Sequence, residues 1–65
     1  SIRNLIAIPA DDGGYELEWE LLEPPAAQVT LYVQRSDGSW RLLVTLPAEH
    51  TSFHVTPEML EEGNQ

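Results

Sequence analysis

YELEWELLEPP, from Tyr15 to Pro25, is the stretch whose reading decides the fold. Its odd positions Tyr15, Leu17, Trp19 and Leu21 are apolar, and Glu16, Glu18 and Glu20 fill the places between them. Successive side chains of a strand point to opposite faces, so this spelling gives one apolar face, with Trp19 at its centre, and one face of carboxylates. Carboxylates two residues apart on a strand are separated by about 6.6 Å along it, which makes the three glutamates a linear anionic row. The row reads first as the wet side of a half-buried strand. The alternative is an imitation of the phosphates of a nucleic-acid strand, occupying a DNA-binding partner. Glu23-Pro24-Pro25 ends the strand, predicted over Tyr15 to Leu22, because consecutive prolines donate nothing to a ladder and hold the preceding residue extended.

The same alternation continues on both sides. Arg3 to Ile8 is predicted as a first strand closed by Pro9. Asp11-Asp12-Gly13-Gly14 supplies a turn, since glycine accepts positive φ and aspartate bonds nearby backbone. Val29 to Arg35 places Val29, Leu31 and Val33 on one side and Thr30, Tyr32 and Gln34 on the other. Ser36-Asp37-Gly38-Ser39 is a hairpin turn leading into a strand from Trp40 to Leu46, stopped at Pro47. Thr51 to Val55 alternates Phe53 and Val55 with Ser52 and His54. Pro57-Glu58-Met59-Leu60-Glu61-Glu62 suits a single helical turn with proline and acids at its start. Apolar residues nowhere recur at helical spacing, and turn signals come about every 8 to 12 residues. The expectation is an all-β chain, a sandwich or a barrel.

Sixty-five residues make one small domain, residues 1–65, and a domain of this size buries only about 60% of the surface its unfolded chain exposes. The sequence has no cysteine, so neither disulfides nor a thiolate zinc site can reinforce it, and association with further protein is the support left. Eleven acidic residues against three basic ones give a net charge of -8. That balance disfavours nucleic acid, which is bound by neutralising phosphates, and anionic membrane surfaces. The longest apolar runs, such as Leu5 to Ile8, fall far short of the roughly 20 residues of a membrane span. Without an initiating methionine or a signal peptide, the chain is expected to be a cut-out or processed piece. The residues leave the compartment open, with a lean toward an extracellular or cell-surface setting.

The order of these features resembles a fibronectin type III domain. It consists of Leu5 on a first strand, Trp19 late on a second followed by Pro24-Pro25, Leu31 and Val33 on a third, SDGSW up to Trp40, then TSFHV, and finally Leu60-Glu61-Glu62-Gly63. The resemblance implies an antiparallel immunoglobulin-like β-sandwich with Trp19 in the core and about five strands present. The last two strands of the family pattern are missing after Asn64-Gln65, and the prolines lie farther from Trp19 than the family usually has them. If a following strand normally pairs with the third, Val29 to Arg35 keeps an open edge. The implied role is a non-catalytic interaction or spacer module, part of a larger protein, completed by strand pairing with another segment or a second copy.

Residues that could carry chemistry are few. Ser52 and His54 share a strand face, but no glycine loop that could hold an oxyanion accompanies them. Asp11, Asp12 and Asp37 lack calcium-loop spacing and are explained by turn chemistry. His50 and His54 lack the helical geometry of a metal pair. No enzyme activity, cofactor or metal is therefore expected. Tyr32 and Trp40 allow a carbohydrate-binding alternative, Tyr32 being the ring expected to face outward. The partner expected is a protein or a second copy of the chain, with no nucleic acid and no membrane. The candidate residues for contact are Thr30, Tyr32 and Gln34, followed by Glu16, Glu18 and Glu20.

Overall fold

The computed structural model describes residues 2–21 and 27–61. The predicted strand end at Leu22, the Glu23-Pro24-Pro25 stop, and Glu62, Gly63, Asn64 and Gln65 lie outside the described residues. Within them the chain is all-β apart from one helical turn: β1 (Ile2–Pro9), β2 (Tyr15–Leu21), β3 (Gln28–Gln34), β4 (Trp40–Pro47), β5 (Ser52–Val55) and α1 (Pro57–Leu60). The strands form two antiparallel sheets, β1-β2-β5 and β3-β4. β4 and β5 are consecutive in sequence but belong to different sheets.

Each predicted strand is present, with ends shifted by no more than one residue. Pro9 belongs to β1 instead of closing it, opposite Tyr15. Among the described residues β1 pairs only with β2, so it is an edge strand, where the missing proline N–H costs no ladder bond. The helical turn is capped by Thr56, whose side chain accepts from the Met59 N–H, and Glu61 is its C-terminal cap.

The inner faces of the two sheets meet around Trp19, Val29 and Leu31, each 5% exposed or less. Leu17, Leu21, Phe53 and Ile2 pack against this centre from one sheet, and Leu43, Val44 and Leu46 from the other. Trp19 is fixed at both its polar and apolar ends, because its indole Nε1 donates to the His50 carbonyl at 3.0 Å while the ring is buried. The alternation of YELEWEL is thus realised as the sequence dictates, Trp19 facing inward and Glu18 and Glu20 outward.

Two bulges interrupt the pattern, both where the sequence stops alternating. In β1, Arg3 lies opposite Glu20 and Ile6 opposite Glu18, so Asn4 and Leu5 together face Trp19. Asn4 takes up the extra residue with φ 57°, a left-handed conformation that asparagine tolerates better than most residues. The shift sends Ile6 and Ile8 to the outer face beside the glutamates. In β4, Leu31 pairs with Val44 and Tyr32 with Leu42, leaving Leu43 as the extra residue of the run Leu42-Leu43-Val44.

The β1–β2 and β3–β4 turns share one design. Ala10 N–H bonds the Gly14 carbonyl and Arg35 N–H bonds the Ser39 carbonyl, closing three-residue loops. Gly13 and Gly38 each take positive φ, 90° and 92°, which glycine adopts without strain. Asp12 and Asp37 each accept a bond from the backbone N–H two residues on, at 2.7 and 2.9 Å.

Candidate functional site

Among the described residues β3 has one edge open. Arg35 directs both backbone groups toward β4, its N–H to Ser39 and its carbonyl to Gly38 N–H. Backbone groups of an antiparallel strand alternate from side to side, so Val33, Leu31 and Val29 also serve the β4 ladder. The N–H and C=O groups of Gln34, Tyr32, Thr30 and Gln28 then point the other way, where no strand among the described residues pairs with them. Thr30, Tyr32 and Gln34, singled out in the sequence, thus bring both their outward side chains and their free backbone groups to one edge. Gln34 Nε2 additionally donates to the Gly38 carbonyl at 3.0 Å.

The space inside this edge is incompletely filled. From Arg3 to Pro9 the whole of β1 is exposed, including Ala7, which shares its inward face with Leu17, and Leu5, 52% exposed. An apolar opening runs between the sheets, lined among others by Leu5 and Ala7 of β1, Leu17 of β2, Tyr32 and Val33 of β3, and Leu60 of α1. One sheet therefore extends past the other on the side where β3 has no neighbour.

The outer face of β3-β4 is apolar too. Tyr32 pairs with Leu42 and Gln34 with Trp40 across the ladder, and the two aromatic rings border an open cleft. Tyr32 is 58% exposed and Trp40 61%. The sequence reading expected Tyr32 to face outward and left Trp40 open; Trp40 joins it because the three-residue turn and the pairing with Gln34 turn its ring to the outer side.

The glutamate row occupies the outer face of the other sheet and is not uniform. Glu20 is met by Arg3 Nε at 3.4 Å and by Asn4 Nδ2 at 2.9 Å. Glu18 lies between Ile6 and Ser52 in the register. Glu16 lies on the same outer face with its side chain 46% exposed, and its Oε2 lies 2.6 Å from His54 Nδ1. The other ring nitrogen, Nε2, lies 2.7 Å from Asp12 Oδ2. Both nitrogens of His54 are thereby engaged by carboxylates, and neither is directed to Ser52 in the described contacts. A neutral imidazole has one N–H to give and the imidazolium two, so this arrangement favours the charged ring. The hydrogen bond to Asp12 and then that to Glu16 raise the His54 pKa above its ordinary 6.5. In return His54, with help from the Gly14 N–H, holds the Asp12 carboxyl below its ordinary 3.8. Sequence reasoning missed this cluster because its members are 38 and 42 residues apart; the one local signal was that Glu16 and His54 both sit on polar strand faces. Among the described residues no group of three or more histidine, cysteine, aspartate or glutamate side chains is arranged to hold a metal ion.

No family model, curated protein or solved structure matches the chain.

Proposed function

We propose that the chain is a fibronectin type III-like sandwich module with a non-catalytic, protein-binding role, completed by a strand that pairs with the free edge of β3. The observation that carries this reading is the coincidence of two deficits at one place. Among the described residues β3 lacks a neighbour on one side, and β1 extends over that side with its inward residues Leu5 and Ala7 exposed. A single added strand would answer both, its backbone bonding β3 and its apolar side lying beneath β1. The two antiparallel sheets, β1-β2-β5 and β3-β4, support the sandwich part of this reading.

Backbone pairing is tolerant of sequence, so an alternating Thr-Val heptapeptide is a suitable probe. On titration into isotope-labelled chain, the amides of Gln28, Thr30, Tyr32 and Gln34 are expected to shift and to gain protection from exchange. Absence of any response, or a response confined to the outer edges of β1, β4 or β5, would overturn the reading.

The cleft between Tyr32 and Trp40 supports a second reading, stacking of a sugar ring on the outer face of β3-β4. It predicts a change in tryptophan emission on addition of an oligosaccharide, abolished in Trp40→Ala. Unaltered emission across a panel of neutral and acidic oligosaccharides removes it.

A further inference from the structure

We propose that the cleft between Tyr32 and Trp40, on the outer face of β3-β4, receives a proline-rich segment of another protein in polyproline II form, with an acidic residue beside its prolines. No backbone group of the open β3 edge takes part, so this site stands whether or not that edge pairs with a strand.

The shape of the cleft sets the size of what enters it. Tyr32 faces Leu42 across the ladder and Trp40 faces Gln34, which makes the two rings diagonal neighbours on one face. Diagonal side chains of an antiparallel pair stand about 7–8 Å apart. Carbon surfaces in contact lie about 3.5–4.0 Å apart, so one small ring fits between the two aromatic rings and touches both. Tyr32, Trp40 and Leu42 are all more than half exposed, and the first two border the opening directly. A proline ring has the required size, and a polyproline II segment is already extended before it docks, so little conformational freedom is lost. A sugar ring has the required size as well. The polar groups decide between the two.

Trp19 gives its indole N–H to the His50 carbonyl inside the protein, whereas neither Trp40 Nε1 nor the Tyr32 hydroxyl has a hydrogen-bond partner among the described residues. An indole N–H can only donate. A polyproline II segment forms no internal hydrogen bonds and its prolines carry no N–H, so its backbone offers a row of unpaired acceptors. Sugar hydroxyls donate as well as accept, and carboxylates receive them best. The outer face, from Gln28 and Pro47 to Gln34 and Trp40, carries no carboxylate.

Charge points the same way. Of the eleven acidic residues only Asp37 falls between Gln28 and Pro47, and its Oδ1 is engaged by Ser39. Two of the three arginines, Arg35 and Arg41, fall there too, so two arginines against one aspartate give this hairpin +1 and the rest of the chain carries -9. Arg35 stands at the turn end of the cleft, its Nη1 3.1 Å from the Trp40 carbonyl and 3.3 Å from Ser39 Oγ. An acid beside the prolines is drawn to that guanidinium, and the glutamate row that would repel it lies on the other sheet.

The test is titration of isotope-labelled chain with a hexaproline peptide preceded by aspartate, with the same peptide preceded by lysine, and with neutral and acidic oligosaccharides. The aspartate peptide is expected to move the Trp40 indole N–H and the side-chain signals of Tyr32 and Leu42 saturably, and the lysine peptide to bind about threefold more weakly. Trp40→Ala and Tyr32→Ala, each with an unchanged circular dichroism spectrum, should weaken binding about tenfold, as loss of an aromatic anchor does. Trp40→Phe, which keeps a ring and loses the N–H, should weaken it less, and Arg35→Gln should make the two peptides equal. The Thr-Val peptide should bind Trp40→Ala as it binds the parent chain, so the cleft and the β3 edge fail separately. No saturable movement at the Trp40 indole N–H, or movement confined to the backbone of the β3 edge, overturns the proposal. Saturation by an oligosaccharide without response to either peptide overturns it in favour of the sugar. Equal binding of the two peptides by the parent chain overturns the part assigned to Arg35.

Discussion

The β1–β2 and β3–β4 turns are built from the same local chemistry but stand in different surroundings. Ala10-Asp11-Asp12-Gly13-Gly14 and Arg35-Ser36-Asp37-Gly38-Ser39 share the closing hydrogen bonds, the aspartate that bonds backbone two residues on, and the glycine at positive φ. At the second turn these interactions stay within the loop, since Asp37 Oδ1 accepts from both the N–H and the hydroxyl of Ser39, at 2.9 and 2.7 Å. At the first turn Asp12 turns its other oxygen to His54 on β5, and Gly14 is buried against the carbonyl of Val55. The first turn is therefore a junction between three segments, and the second is an isolated surface loop. Local sequence sets the shape of a turn, and its surroundings set how far that turn can change.

The largest expected effect comes from making the first turn resemble the second. A Cβ at Gly14 would overlap the Val55 carbonyl oxygen, a backbone atom that cannot move aside alone. Gly14→Ser should cost about 2–3 kcal/mol, at the upper end of overpacking in well-packed regions. Ser39→Gly, the reverse exchange at an exposed site, should stay within roughly 1 kcal/mol. Urea unfolding of both variants gives the comparison, and equal losses would show that Gly14 is not held against β5 as described.

Next in size are Gly13→Ala and Gly38→Ala, which should be alike. Both residues hold positive φ, where a Cβ costs roughly 1–2 kcal/mol, and neither has a neighbour closer than ordinary contact. A difference of more than about 1 kcal/mol between them would break the equivalence of the two loops.

The pH dependence separates the turns further. Asp12 and Asp37 are both held below 3.8, Asp12 chiefly by His54 and Asp37 chiefly by the Ser39 hydroxyl. Each contributes stability that is present above the ordinary aspartate value and lost as pH falls through its lower folded value. His54 works in the opposite sense. Its folded pKa lies above 6.5, so its contribution is complete below 6.5 and disappears as pH rises through the folded value. The first turn should thus be most stable between about pH 4 and 6.5, and the second should show only the acidic loss. In thermal unfolding from pH 3 to 9, His54→Gln should remove the alkaline decline and weaken the acidic one, leaving the part that Asp37 and the Gly14 N–H on Asp12 supply. An unchanged alkaline limb in that variant would mean that His54 does not bridge β5 to the turn.

The smallest expected effect is at the far end of the same sheet. Glu20→Gln breaks the ion pair with Arg3, whose partners are 64% and 59% exposed, and should change stability by less than about 1 kcal/mol. A larger loss, measured by the same urea unfolding, would show that the charge pair with Arg3 does more for the β1 edge than two exposed partners should.

Much of the fold could be read from the residues because its signals are local. Tyr15 to Leu21 alternates without a break and becomes β2 with Trp19 buried, and both Asp-Gly turns fall where turn chemistry places them. The two bulges were also present in the spelling, although alternation alone does not interpret them. The runs Leu5-Ile6-Ala7-Ile8 and Leu42-Leu43-Val44 are where alternation stops, and each marks a strand that gains a residue over its partner. The candidate edge was half legible. Thr30, Tyr32 and Gln34 follow from the alternation, whereas the exposed underside of β1 and the outward turn of Trp40 depend on how strands associate.

The sequence by itself determined where strands begin, which side of each is apolar, and where the chain reverses, because these depend on neighbours within a few residues. Only the tertiary structure decided that β5 joins β2 and not β4, that Asp12, Glu16 and His54 meet, and that β3 keeps one edge open among the described residues. Those outcomes depend on pairing segments distant in the chain, and a strand's alternation specifies its faces without specifying which other strand will lie beside it.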